Sequence, residues 1–410
     1  MFTKAEITQI RLKKLGMCEP FSEPKSFMRQ TIALQSQNHQ PALVNFVQHV
    51  SMTWEDAEAF FESQQVVKIW ANRLTLHTFL AEDWEMVFRV FGTRRNIVHR
   101  ICEKEGLDLE AILAEIDVFS RSKEVVNRKE LEAIIGDYSA QVKSSIIAQA
   151  AIRGILYLLP SSDTIRNYSH RSCLGNYTEW APDEAKDLEA MKSFIHRYLA
   201  GYGPATWKDF RHWSGLTARD IKEAVKALAN ELVIFTLDGE EYVALRDEKV
   251  PDVMQNVFLT GKFDQAVIAY KDPTWIMKEA ERKSAWTVNG HCSAIIVAAN
   301  RAIGLWKYEW KKDVLIYTVT YFETACFQKE IKNELERFVS RISPKPLEIQ
   351  YKNEENVSCP KTNSHFPHFF FVVKPSETNF NPVTKFTVAI AIIKYVIIVQ
   401  PFKFTWLIAK

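Results

Sequence analysis

The residues of this chain that could do chemistry do not assemble into metal or thiol machinery. Its ten histidines include no H-E-x-x-H pair, and His365 and His368, in HFPHFFF, are only a remote metal hint. The six cysteines (Cys18, Cys102, Cys173, Cys292, Cys326 and Cys359) are scattered, with no C-x-x-C pair. That argues against a zinc finger or an iron–sulfur site and fits reduced thiols better than a disulfide framework. No metal and no small-molecule cofactor is expected. What remains is binding chemistry. Lys4, Arg11, Lys13 and Lys14 lie on a basic N-terminal helix that could touch phosphate, although a solvated face is the simpler reading. The polar run Gln35-Ser36-Gln37 reads, from residue types alone, as solvated surface. The strongest signal is Arg197–Leu216, RYLAGYGPATWKDFRHWSGL, because of the elements around it.

Gly203-Pro204 breaks the chain, and WKDFRHW forms a short helix with its aromatics on one side. The spacing of Trp207, Phe210 and Trp213 marks them as core rather than as platforms for stacking bases. Gly215 turns the chain, and a second helix follows over Thr217–Glu231, with Thr217 and Asp220 spaced like a capping box. LVIFTL and EEYVAL then flank Asp238-Gly239, a dipeptide suited to a type I′ hairpin. Helix, turn, helix and hairpin in this order predict a winged helix, a module that mostly binds nucleic acid.

Bulk properties leave that reading standing. The chain has 410 residues, 47% of them hydrophobic, enough for several compact units with a buried core. Lys+Arg number 52 against 50 Asp+Glu, so the net charge is only +2 and any DNA surface must be local. The N-terminus lacks the apolar core of a signal peptide, so a cytoplasmic, nucleoid-associated protein is expected.

The fold class expected is α+β, predominantly helical: three tandem winged-helix units followed by a β-rich C-terminal domain. Residues 1–106 form the first unit, with a helix over Ser26–Gln37 and two strands, VVKIW and LTLHTF, around Asn72-Arg73. Residues 107–182 form the second, with a helix capped by Asn127 and Glu130 and the long apolar run SIIAQAAIRGILYLL. Residues 183–250 form the third. Residues 251–343 carry short strands, VFLTGKF, AVIAY, WTVNG, SAIIVAA, AIGLWKYEW and VLIYTVTYF, as an antiparallel sheet closed by the helix CFQKEIKNELERFVSRI. Turns are expected at Asn289-Gly290 and Asn300-Arg301. Residues 344–410 differ in style and are expected to lie outside this fold. Their apolar run FTVAIAIIKYVIIVQPFKFTWLIA is interrupted by Lys394, Pro401 and Lys403, which argues against a tail anchor.

At this point the chain resembles the AlkZ/YcaQ winged-helix DNA glycosylases, from near the N-terminus to about residue 342. The resemblance rests on LQSQ (Leu34–Gln37), WANRLTLHTFLAEDW (Trp70–Trp84), AIRGILY (Ala151–Tyr157) and the long motif above. It continues through FDQAVIAYKD (Phe263–Asp272) and GLWKYEW (Gly304–Trp310). It implies a concave channel for double-stranded DNA and hydrolysis of the N-glycosidic bond of alkylated purines, N7-alkylguanines especially, with interstrand crosslinks as further substrates. It also implies that Gln35 and Gln37 are the catalytic pair of a Q-x-Q, AlkZ-like branch. Ser36 departs from the pattern, since an apolar residue is usual there.

Two neutral amides suffice only because such a base is already cationic and departs neutral, so no strong acid is needed. A glutamine carbonyl can steady an oxocarbenium-like sugar and hold a water, a mainly positional gain. On a regular helix residues i and i+2 point about 200° apart, so Gln35 and Gln37 could share one water only if the helix ends or distorts there. Arg73 and His77, from R-x-T-x-H, are DNA-binding candidates, Arg73 on phosphate and His77 near the lesion. The alternative is a salt bridge at the base of the wing and a satisfied, half-buried histidine. Asp264 either orients the channel or caps a turn. The rival function is a non-catalytic winged-helix DNA-binding protein or transcriptional regulator. No dimerisation heptad stands out, so a monomer is expected.

Overall fold

A computed structural model describes residues 2–160, 166–175, 178–251, 257–287, 290–311, 314–323, 327–342, 348–351 and 372–373. His365, His368, Cys326, Cys359, Asn289 and the apolar run at 386–409 lie outside them. The architecture is mixed α+β, with helices packed on two six-stranded sheets and one two-stranded hairpin. Among the described residues no helix is long and apolar enough to cross a membrane.

The first sheet contains β1 (Ala33–Gln35), β2 (Val66–Trp70), β3 (Leu76–Leu80), β4 (Val126–Asn127), β5 (Leu156–Leu158) and β6 (Asn167–His170), in the order β1-β3-β2-β5-β6-β4. Strands expected in two separate units therefore share one antiparallel sheet, joined where Lys68 faces Leu158. Joining them covers two edges that would otherwise leave backbone groups unpaired. The apolar run at 145–159 is not one helix. Its helical part, within Ala140–Ile152, ends before Gly154, whose φ is +76° and whose Cβ position would lie 2.4 Å from the Trp180 ring. Only glycine fits there.

The long helix Glu184–Tyr202 runs through the core. Against it pack Phe210 and Trp213 of the Trp207–Ser214 helix, with ring centroids 5.0 Å from Tyr198 and 5.2 Å from Phe194 respectively. Both are buried and serve as core, each contributing about 1.5–3 kcal/mol by apolar burial. Capping boxes at Thr206/Asp209 and Thr217/Asp220 start this helix and the next, Ala218–Ala227, with Gly215 in the left-handed region between them. Strands β7 (Leu232–Leu237) and β8 (Glu240–Leu245) follow, turned by Asp238 and Gly239 at φ +50° and +80°. Positive φ at both positions is what a type I′ turn requires.

The basic N-terminal helix Lys4–Lys14 divides: Lys4 and Lys13 are exposed, whereas Arg11 and Lys14 turn inward. Arg11 is buried, donates from Nε and Nη2 to the Pro204 carbonyl at 2.9 and 2.6 Å, and lies 4.2 Å from the Tyr270 ring centroid. Lys14 donates to the carbonyls of Leu199 and Gly203, each at 3.0 Å, and pairs with Glu248. Lys4 pairs with Asp238 at the tip of the hairpin.

The second sheet has the order β14-β13-β12-β11-β10-β9: β9 (Phe258–Leu259), β10 (Ile295–Ala298), β11 (Arg301–Lys311), β12 (Val314–Tyr321), β13 (Glu348–Tyr351) and β14 (Val372–Val373). β13 runs parallel to β12, and β13 and β14 come from beyond residue 343. The expected strand AVIAY is instead helical at Gln265–Ile268, because Asp264 Oδ1 accepts the Ala266 N–H and starts a turn. The cap overrides the β-propensity of valine and isoleucine. The described residues of WTVNG form no strand, only a bridge from Trp286 to Cys292. The other carboxylate oxygen of Asp264 meets His49 Nε2 at 2.7 Å, while His49 Nδ1 donates to Leu15 O at 2.6 Å. Asp264 thus caps a turn and fastens the N-terminal segment to the β-rich part.

Candidate functional site

The helix expected over Ser26–Gln37 stops at Thr31. Ile32 then adopts φ +63°, an uncommon conformation for a β-branched residue, held by complete burial and by the β1–β3 pairing beyond it. The chain enters β1, and the period changes from 3.6 to 2. Gln35 ends β1 opposite His77, and Gln37 lies two residues on, in the bend that follows the strand. The helical geometry that separated them does not apply.

Strand β3 supplies the frame. Gln35 is paired with His77, and the Ser36 N–H donates to Leu76 O at 2.9 Å. The Leu76 N–H then donates to Gln37 Oε1 at 3.2 Å, so the side chain of Gln37 takes over where the backbone ladder ends. An N–H on Oε1 fixes the amide orientation and leaves the Gln37 NH₂ on the exposed side. Gln35 is half-buried, and its Oε1 is sealed from solvent with no hydrogen-bond partner among the described residues. Ser36 is fully buried and accepts from Thr78 Oγ1 at 2.9 Å. This hydroxyl pair is how the sheet accommodates serine at a position usually apolar.

His77 is 1% exposed, not half-buried. Burial pushes its pKa down to about 4, opposed by donation to Thr75 O and reinforced by the charge of Arg73. Its Nδ1 lies 3.0 Å from that carbonyl, so the neutral ring carries its proton there and presents Nε2 as an acceptor. At neutral pH it cannot act as a general acid. Among the described residues Arg73 forms no salt bridge at the base of the hairpin. It sits in the turn between β2 and β3 at φ +54°, and Nη1 donates to His212 O at 2.9 Å. A Cβ on Gly215 would come within 3.1 Å of Arg73 N, so the turn is docked on the start of the Ala218–Ala227 segment.

Two further residues emerge. Gln265 donates from Nε2 to Ala33 O at 2.9 Å, beside β1, and leaves its Oε1 unpartnered among the described residues. Asn72 is fully buried with neither amide atom partnered. Buried polar atoms are normally satisfied, so orphans on Gln35, Asn72 and Gln265 flanking β1 and β3 mark a polar site. Both residues lie inside quoted motifs, but sequence spacing gives no reason to select them. A cleft of about 280 Å³ opens beside Lys68, Thr78, Tyr157 and Ser169. It receives Thr78 from the Ser36 face of the sheet, and Gln35 lies on the opposite face. No group of three or more His, Cys, Asp or Glu side chains suited to a metal ion occurs among the described residues.

Comparison with known proteins gives three results. The profile of the family described as "DNA glycosylase AlkZ-like" matches residues 28–340. No curated protein matches the chain. Among solved structures, the DNA glycosylase AlkZ of Streptomyces sahachiroi superposes with a TM-score of 0.69 at 18% identity, over 85% of this chain and 99% of that one.

Proposed function

The chain belongs to the AlkZ-like DNA glycosylase family, and from that premise we propose that it hydrolyses the N-glycosidic bond of alkylated purines in duplex DNA at Gln35 and Gln37. N7-alkylguanines are the substrates, and crosslinks joined through the same nitrogen are a further class. The observation that carries this reading is the placement of both glutamines against β3, Gln35 opposite His77 with its Oε1 unpartnered among the described residues and Gln37 held by the Leu76 N–H.

The division of labour follows from their bonds. Gln35 Oε1, sealed in the free protein, offers partial negative charge to the sugar and an acceptor for the attacking water once substrate binding turns the side chain toward the DNA. Gln37, pinned through its carbonyl by Leu76, has its NH₂ free to donate to sugar or phosphate. As the C1′–N9 bond breaks, its electron pair passes into the purine and cancels the positive charge of the alkylated ring. Water adds to C1′ and releases a proton to solvent, leaving an abasic site. Neutral His77 beside Gln35 places no competing cation near the developing positive sugar. The enzyme acts as a monofunctional glycosylase and as a monomer, without covalent trapping by borohydride. Its elements support three winged-helix-like units, the first two fused through one sheet.

The test is a labelled duplex carrying one N7-methylguanine, incubated with the full chain and then treated with alkali. Strand cleavage at the lesion is expected, and is lost in the Gln35→Ala/Gln37→Ala variant. Cleavage no faster than spontaneous depurination, with duplex binding intact, would favour a non-catalytic DNA-binding protein.

A further inference from the structure

Around the start of the Ala218–Ala227 helix lies an open recess of about 430 Å³ lined by Lys208, Arg211, His212, Thr217, Ala218 and Lys271. Lys208, Arg211 and His212 reach it from the Trp207–Ser214 helix, and Lys271 joins them from a distant part of the chain. Lys271 is held in place because its backbone N–H donates at 2.9 Å to Asp209 Oδ1. The acidic groups nearby are committed elsewhere. Asp209 is buried on its own helix cap, Asp220 caps the next helix and faces Arg94 at 3.6 Å, and Glu240 takes Lys208 at 2.7 Å. Arg211 and Lys271 are exposed and have no carboxylate partner among the described residues. Burial lowers the pKa of His212, and the charges of Arg73 and Lys271 lower it further, with Asp209 opposing. With Lys208 taken by Glu240, the two cations left unpaired among the described residues, Arg211 and Lys271, suit an anion.

The recess is also linked to the glutamine site through the chain. Arg73 donates to the His212 carbonyl on the recess wall, and three residues later Leu76 holds Gln37. Three residues of extended chain span at most ~11 Å. The extended Arg73 side chain adds roughly 7 Å and DNA advances ~3.4 Å per nucleotide, so the recess lies on the order of three to five nucleotides from the sugar at Gln35.

We infer that this recess grips one backbone phosphate of the substrate duplex, with Arg211 and Lys271 as its principal contacts, and thereby sets the register of the lesion against Gln35 and Gln37. The inference rests on the duplex-DNA reading above but not on catalysis. The N–H groups of Ala218 and Arg219, which precede the first helical hydrogen bond, add to the field without defining the site. In this role the Ala218–Ala227 helix meets the backbone with its end and does not read bases along its side.

The test uses the full chain, and Arg211→Gln/Lys271→Gln, against a duplex in which single phosphodiesters are replaced one at a time by neutral methylphosphonate. For the native protein, affinity is expected to fall about tenfold at one position three to five nucleotides from the lesion. In the double variant that position becomes silent, while sensitivity elsewhere is kept. The slope of log K against log salt falls in magnitude by roughly 0.9, one phosphate's worth. Both side chains are exposed, so the variant keeps its fold, which circular dichroism verifies. If the variant stays sensitive at every position where the native protein is, or its slope is unchanged, the inference fails. Loss of abasic-site formation by the native protein would instead count against the glycosylase reading, because binding is measured separately.

Discussion

A falling pH should unfold this protein through His77 before it affects any group at the glutamines. The imidazole is 1% exposed and its pKa is pushed from 6.5 to about 4. In the unfolded chain it takes a proton near pH 6.5, whereas in the native state it resists until about pH 4. Between these values the unfolded state binds more protons, so stability rises with pH across that window and is lost as pH falls through it. At 1.36 kcal/mol per pH unit, the loss is about 2 kcal/mol by pH 5 and about 3 kcal/mol by pH 4. Carboxylates titrate in the same range, so the quantity to measure is a difference. Urea unfolding of the native chain and of His77→Gln, from pH 7 to pH 4, should show the variant gaining about 3 kcal/mol on the parent as the pH drops. A difference between the two proteins that stays constant with pH would refute the buried, neutral imidazole. The same premise requires that any inflection in the pH–rate profile between pH 6 and 7 survive in His77→Gln.

Three other perturbations follow from the geometry. Gly215→Ala forces a side chain to φ +80° and 3.1 Å from Arg73 N, and should destabilise by at least about 1–2 kcal/mol while slowing glycosylase turnover; an unchanged urea midpoint and rate would count against the docked turn. Ser36→Val leaves Thr78 Oγ1 buried without its acceptor and should cost about 1–3 kcal/mol, whereas Ser36→Val/Thr78→Val should recover most of that loss, a double-mutant cycle read by thermal unfolding. Arg11→Met strips the Pro204 carbonyl of two donors and should lower stability by about 2–3 kcal/mol with DNA affinity unaltered; a selective loss of affinity would return Arg11 to the phosphate surface.

The sequence spoke most clearly where structure is decided locally. The hairpin at Asp238-Gly239, the capping pairs Thr217/Asp220 and Asn127/Glu130, and the aromatic core face of Trp207–Ser214 all follow from neighbours in the chain. It was misleading where distant partners decide. Residues 32–37 have helix-compatible composition, yet pairing with β3 makes Ala33–Gln35 a strand, which sets Gln35 against His77 and brings Gln37 to the Leu76 N–H. AVIAY has strand-forming residues but Asp264 turns it into helix. The charge of the N-terminal helix gave no hint that Arg11 is buried, because its acceptor lies 193 residues away. Asn72 and Gln265 were invisible for a related reason: an unsatisfied buried amide can be recognised only once its surroundings are known.

The clasp made by Arg11 and Lys14 has a bearing on how the chain matures on the ribosome. Their acceptors are the carbonyls of Leu199, Gly203 and Pro204, and His49 waits for Asp264. While the first hundred residues emerge, the N-terminal helix carries an arginine and a lysine destined for an interior that has not yet been synthesised. The leading segment therefore remains open until well over half the polypeptide is outside the exit tunnel. Closure is then a late, concerted event rather than a unit-by-unit progression from the N-terminus. A nascent chain halted near residue 190 should stay protease-sensitive at its N-terminus, and one extended past Asp264 should not.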